Sequence, residues 1–553
     1  MLGFKTRSAT SRRSSKSVLA AAFGGTLLIA TGAVAGQPAA AAPAPIVQRS
    51  KVDVTADALP TAQINGVAWS QVIIGYTVYV GGQFTSARPA GAPAGTDETP
   101  RTNLLAYDLR TGELLDSFAP EVNGPVLSLA KSTDSKTLFI GGDFTQVAGK
   151  DRLRLAAFST STGSLRKLAP QINGKVRALT ASSSRLYVGG SFTKVGSKSR
   201  SKAAAFGISS RKLLSWAPKA DNYVSALTLT PNKKSVVLGG SFLKIGTHKV
   251  YGMASVDYKS AKVRTWKINK DIRDYGSASA ITSLSADKHL VYGSGYSYGE
   301  GNFEGAFAAN PKTGAIVWVQ DCRGDTYDVA VTSSRLYSVG HAHFCGNIGG
   351  FPDSAPVAYR ALSVTLDARG TVAAANPNPR YNKLEGRPAP ALLNWFPELA
   401  VGEFTGQSQS AWSTETAHGY LVLGGEFPSV NGVPQQGLVR FSLPANAPLQ
   451  QGPLSKGRNS TATIVAGTDP TTATVSWKSN YDRDDENLSY QIKRDGVVVH
   501  NRSATSQFWN RPVLSFVDTG LVAGTTYSYV VEAKDPDGNV ATSDAVSFTA
   551  PTA

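Results

Sequence analysis

The chain has 553 residues, with 56 Lys and Arg against 39 Asp and Glu, a formal charge of +17, six histidines and two cysteines. The basic residues read as scattered, with no basic helix or zinc-finger spacing, which argues against nucleic acid as the natural partner. Six histidines leave little material for catalytic triads or large metal centres.

At the N-terminus Lys5, Arg7, Arg12, Arg13 and Lys16 precede an apolar run from Val18 to about Val34, then Ala-rich sequence. This order predicts a signal peptide over residues 1–42, cut between Ala35 and Ala42, and hence an extracellular protein. Ser11-Arg12-Arg13 leaves a twin-arginine route open beside the general one, although Ser14, Ser15 and Lys16 stand where apolar residues are expected. The run is short and glycine-interrupted, so no stable membrane span is expected. Its removal leaves a charge of +12, suited to an anionic cell wall or polysaccharide and equally to solubility.

From residue 43 to 447 one phrase recurs: Val78-Tyr-Val-Gly-Gly-Gln-Phe84, Leu138-Phe-Ile-Gly-Gly-Asp-Phe144, Leu186-Tyr-Val-Gly-Gly-Ser-Phe192, Val236-Val-Leu-Gly-Gly-Ser-Phe242 and Leu421-Val-Leu-Gly-Gly-Glu-Phe427. Val291-Tyr-Gly-Ser-Gly-Tyr and Leu336-Tyr-Ser-Val-Gly-His are degenerate copies, and the second-glycine positions 82, 142, 190, 240, 295, 340 and 425 define seven units, the last after an insertion. Each unit reads as an apolar strand, the Gly-Gly strand, an alternating strand such as Leu155-Ala-Ala-Phe158, a Thr-Gly turn, and a fourth strand ending in Ala-Pro. Four strands per unit without helical periodicity predict an all-β fold, a seven-bladed β-propeller. The last unit lacks its fourth strand, and residues around 50–64 are expected to supply it, removing an open edge.

The fifth and sixth units break the pattern with Asp321-Cys-Arg-Gly-Asp325 and His341-Ala-His343-Phe-Cys345, followed by an insertion containing Asn394-Trp395-Phe396. Cys322 and Cys345 are expected to pair in an exported protein, a thiol nucleophile being the competing reading. His341 and His343, two apart in a strand, share a face and are candidates to hold a metal ion with Asp321 or Asp325, or else to hydrogen-bond neighbouring strands. Trp395 is read as an exposed aromatic that a ligand could use. No other cofactor is implied, because no phosphate loop, dinucleotide fingerprint, nucleophile elbow or His-Glu-x-x-His occurs.

Residues 448–457 read as an exposed linker, and 458–553 as a second β domain. Val475-Ser-Trp477, Leu488-Ser-Tyr490-Gln-Ile492, the Asp495-Gly496 turn and Leu521 with Thr526-Tyr527-Ser-Tyr529 resemble a fibronectin type III β-sandwich with its tyrosine corner. Asp482, Asp484 and Asp485 could collect calcium or form a solvated loop.

The Gly-Gly-x-Phe-Thr phrase, the Thr-Gly turn and the Ala-Pro-x-x-Asn-Gly ending resemble the delta-60 repeats of secreted bacterial propellers, over roughly residues 60–445. That resemblance implies a binding scaffold. The reading it supports is a non-catalytic binding or adhesion protein of the cell surface, whose partner is a polysaccharide, a cell-wall polymer or another surface protein. The alternative is a polysaccharide-degrading glycosidase, or an accessory of one, with Asp321 and Asp325 as its acid pair.

Overall fold

The computed structural model describes residues 53–298, 301–374 and 384–552, so the expected signal peptide lies outside the described residues. Up to Ser442 the chain forms successive antiparallel sheets of three or four strands. The first strand of each is Val67–Ile74, Val126–Lys131, Val176–Ala181, Val224–Leu229, Ser279–Ala286, Thr326–Val331 and Ala411–Ala417. Each of these touches the next, and Ala411–Ala417 touches Val67–Ile74. The fold is all-β and this part is a β-propeller; the helical pieces among the described residues are single 3-10 turns.

Steric exclusion explains the glycine pair. In the second sheet Val126 faces Gly142 and Ser128 faces Gly141, leaving Leu127 as a bulge. A Cβ on Gly142 would stand 2.1 Å from the Pro125 carbonyl oxygen, and one on Gly141 would stand 2.4 Å from Val176 Cγ1 in the next sheet. The second glycine therefore makes room for its own sheet's backbone, and the first for a neighbour's side chain. Gly81 meets Val126, Gly189 meets Val224 and Gly239 meets Ile281 in the same way. The sixth sheet inverts the volumes: Val339 occupies the first-glycine position, opposite Asp328, and packs in one cluster with Ala411, which stands where the second to fifth sheets have Val126, Val176, Val224 and Ile281. Total volume across the contact is thus kept.

Four full strands per unit is more than the first three sheets contain. Their fourth strand shrinks to the single bridges Tyr107↔Leu114, Phe158↔Leu165 and Phe206↔Leu213. In each of these units a proline, Pro120, Pro170 or Pro218, follows within a few residues of that bridge and has no N–H to extend the ladder. The aromatic before that proline packs between sheets instead: Phe118 lies edge-on to Tyr79 and Phe158, and Trp216 edge-on to Tyr187.

At the start of the described chain, the Thr55 N–H donates to Ser442 O (2.9 Å) and the Leu59 N–H to Arg440 O (2.8 Å). The buried Arg440 guanidinium then donates to Thr61 Oγ1 (3.2 Å), Leu109 O (2.7 Å) and Pro60 O. One side chain so ties the chain's beginning, the first sheet and the last sheet together.

The C-terminal part is two antiparallel sheets packed on a core of Val475, Trp477, Tyr490, Ile492, Tyr529 and Val531. The Tyr527 hydroxyl accepts a hydrogen bond from the Val522 N–H (2.8 Å). Residues 448–457 are not the exposed linker expected: Pro453 and Ser455 are buried, and the Gln450 and Gln451 amides donate to Asp57 Oδ1 at 2.9 and 3.1 Å. Aromatic contact accounts for this close docking. Phe508 from the second domain packs against Tyr359 and Phe396 of the first, both at 4.3 Å between ring centres, burying surface that a free spacer would leave in water.

Candidate binding site

The bulge is repeated in every first strand, and its residue is Trp69, Leu127, Arg177, Ser225, Thr282, Tyr327 and Trp412 in turn. All seven line a central tunnel of about 1040 Å³. A bulge re-aims one side chain out of the alternation, so the scaffold's Val-x-Ser/Ala-Leu pattern keeps its outer letters for packing and turns x toward the axis.

Around the tunnel mouth the three aromatic ones, Trp69, Tyr327 and Trp412, begin an aromatic arc. Trp69 lies 5.0 Å from Trp412, and Trp412 lies 4.2 Å from Tyr327. Tyr296 and Tyr298 continue it at 6.0 Å, and the Tyr296 and Tyr223 hydroxyls are 3.3 Å apart. Arg177 covers the Tyr223 ring at 5.3 Å. Tyr298 is 65% exposed and Trp69, Tyr296, Tyr327 and Trp412 are half-buried, so part of each ring is open to an incoming molecule. Polar groups are fixed between the rings. Asp325 Oδ2 accepts from the Tyr298 and Tyr327 hydroxyls, each at 2.9 Å. Gln409 Oε1 accepts from Arg360 Nη1 (2.9 Å) and lies 3.1 Å from His341 Nδ1. Burial and the Asp325 charge push the Tyr298 hydroxyl up to about 12, so it stays a proton donor at neutral pH. Burial pulls the His341 imidazole below its ordinary value, against the opposing pull of Asp325.

Past the bulge the lining includes Ser70, Ser128 and Ser283 with the acids Asp328 and Glu415. Asp328 Oδ1 accepts from Ser283 Oγ (2.5 Å) and Oδ2 from the Thr414 N–H (2.9 Å), joining three neighbouring strands. Burial raises Asp328 to about 6 and Glu415 to about 7.

The candidate residues read from sequence divide. Asp325 lines the mouth and His341 stands behind it against the lining Gln409, whereas Asp321 is buried in the loop region beside the disulfide, accepting from Asn347 Nδ2 (3.0 Å), with its pKa raised by burial to about 7. His343 Nδ1 stands 3.4 Å from Asp353 Oδ1. Among the described residues, the group bringing three possible ligand atoms within 4.8 Å of one another is Asp482, Asp484 and Asp485, and no such trio forms from Asp321, Asp325, His341 and His343. The three C-terminal acids are buried rather than solvated, and the Ala56 N–H donates to Asp484 Oδ2 (2.5 Å). Cys322 and Cys345 form a disulfide.

Trp395 is not the exposed aromatic expected. It is 1% exposed, lies edge-on to Tyr337 at 4.8 Å and donates its Nε1–H to Thr55 O (3.2 Å). Trp216 behaves identically against Tyr187 and Asp257 O. Leu392-Leu-Asn-Trp395-Phe-Pro397 is thus the unit ending Leu213-Leu-Ser-Trp216-Ala-Pro218 again, and its indole is a packing element.

The sheets and tunnel define the class as an all-β protein with a β-propeller. No family model matches the chain, and no curated protein matches it. Among solved structures it is similar to the β-propeller domain of Myceliophteria thermophila Cps50 (Swd1), at 10% identity and a TM-score of 0.40, covering 70% of this chain and 99% of that one. Among the described residues no helix is long and apolar enough to cross a membrane.

Proposed function

We propose that this is a secreted protein of the delta-60-repeat kind, a seven-bladed propeller closed by residues 54–61 and followed by a fibronectin type III-like module, and that it binds carbohydrate at the tunnel mouth. The observation that carries the reading is the arc Trp69, Trp412, Tyr327 and Tyr298 interleaved with fixed polar groups. Sugar rings offer apolar C–H faces and a rim of hydroxyls, and an arc of aromatic faces with Asp325, Gln409 and Arg360 between them complements both. The Val522-to-Tyr527 hydrogen bond and the Trp477 core support the fibronectin type III likeness.

Titrating the secreted chain calorimetrically with neutral oligosaccharides tests this. Trp412→Ala should weaken binding about tenfold or more while the protein stays folded by circular dichroism. Unchanged affinity in that variant would remove the mouth as the site. Release of new reducing ends from the glycan would replace binding with hydrolysis.

A further inference from the structure

The basic residues are not scattered. Residues 150–270 hold 24 of the chain's 56 Lys and Arg but only 3 of its 39 Asp and Glu. The rest of the chain is therefore slightly acidic, and the total charge conceals a strongly positive sector.

That sector carries similar small hairpins on adjacent sheets, Lys194–Val195 with Lys198–Ser199 and Lys244–Ile245 with His248–Lys249. Lys244 lies directly opposite Lys249, an arrangement in which like charges destabilise the pair. Lys194, Lys198, Lys244 and Lys249 are exposed. Among the described residues the ion pairs of this sector are Arg154 and Lys175 with Asp143, and Arg264 with Asp257, so these four lysines have none. Each hairpin also bridges the segment that leads into a bulged strand: Val195 pairs with Ile172 and Ile245 with Ala220. The hairpins therefore stand at the tunnel-mouth end of their sheets, and exposed Lys175 and Arg177 continue the positive path to the aromatic arc.

Unpaired cations repeated from sheet to sheet fit a ligand whose negative charge also repeats. We infer that this face binds a linear anionic polysaccharide, its carboxylates on the lysine hairpins. The inference rests on the carbohydrate reading and names the class of glycan. Continuity with the aromatic arc favours a charged glycan over other polyanions, because the polymer would meet charge and ring faces along one path.

The test compares polygalacturonate, its neutral methyl ester and double-stranded DNA as ligands of the secreted chain and of the variant Lys194→Glu/Lys198→Glu/Lys244→Glu/Lys249→Glu. Polygalacturonate should bind the native chain, and weaken about tenfold or more between about 50 and about 500 mM salt. The variant should lose about tenfold or more at low salt, with an unchanged melting temperature and unchanged binding of the methyl ester. Equal polygalacturonate affinity in the two proteins would overturn the inference, as would DNA binding as tight as polygalacturonate. Salt-sensitive polygalacturonate binding without any methyl-ester binding would uphold the basic face and sink the aromatic mouth alone.

Discussion

Replacing Gly141 by alanine places a Cβ 2.4 Å from Val176 Cγ1, more than 1 Å inside ordinary carbon–carbon contact. Overpacking of this kind costs about 1–3 kcal/mol. Val176→Ala alone removes two buried methyl groups, about 1.6 kcal/mol of transfer free energy before any cavity contribution. In the double variant the new methyl enters the space the valine left, so the two losses should fall short of additivity by about 1 kcal/mol or more. Gly142→Ala supplies the control. Its Cβ would stand 2.1 Å from the Pro125 carbonyl oxygen, which no side-chain truncation can move, so Val176→Ala should not relieve it. Urea unfolding of the single and double variants measures both cycles. Strict additivity for Gly141 with Val176 would refute the volume exchange that Val339 and Ala411 are taken to embody.

The burial-raised acids give stability a definite pH dependence. Asp321, held near 7 against an unfolded value near 4, favours the folded state most when protonated, so stability should fall as pH rises from about 4 to about 7, by up to about 4 kcal/mol from this residue. Asp321→Asn should flatten that part of a stability profile measured by urea unfolding, and an unchanged slope would contradict the assignment. Arg440→Ala strips the donor from Thr61, Leu109 and Pro60 oxygens at once and should destabilise the propeller by about 3 kcal/mol or more, read as an earlier urea midpoint. Cys322→Ser opens a disulfide spanning 23 residues and should cost about 3 kcal/mol, visible as the same loss on reducing the native chain.

What the sequence discloses depends on whether a residue's role is steric and repeated. The glycine pair is legible because two collisions forbid any side chain there in sheet after sheet. The bulged residues leave a subtler mark. One extra residue interrupts the alternation in Val126-Leu127-Ser128-Leu129, and only aligning it with Val176-Arg177-Ala178-Leu179 and Ala411-Trp412-Ser413-Thr414 exposes the variable letter. The site is hidden for the same reason: Trp69, Tyr327 and Trp412 are far apart in sequence and meet only when the ring closes. Departure from the repeat misleads at Asp321 and His343, where the irregular chain accommodates a disulfide loop. At Trp395 the preceding insertion disguises an ordinary unit ending. Opposite signs cancel in a chain-wide charge, which conceals the basic sector.

The bulge also frees one position in each sheet from the alternation that the rest of the strand must keep. A residue squeezed out of the ladder escapes the tight contact made by the glycine pair, so leucine, arginine, serine, threonine, tyrosine and tryptophan all occupy the position, while the residues on either side are small or apolar except for Asp328 in the sixth sheet. Such a ring can be respecified one spoke at a time. Ligand preference can drift at Leu127 and Arg177 with little penalty in folding, and a library randomised only there would sample new specificities, whereas Ser225 and Thr282 also donate to Ile281 O and Thr326 O of the next sheet and hold the frame.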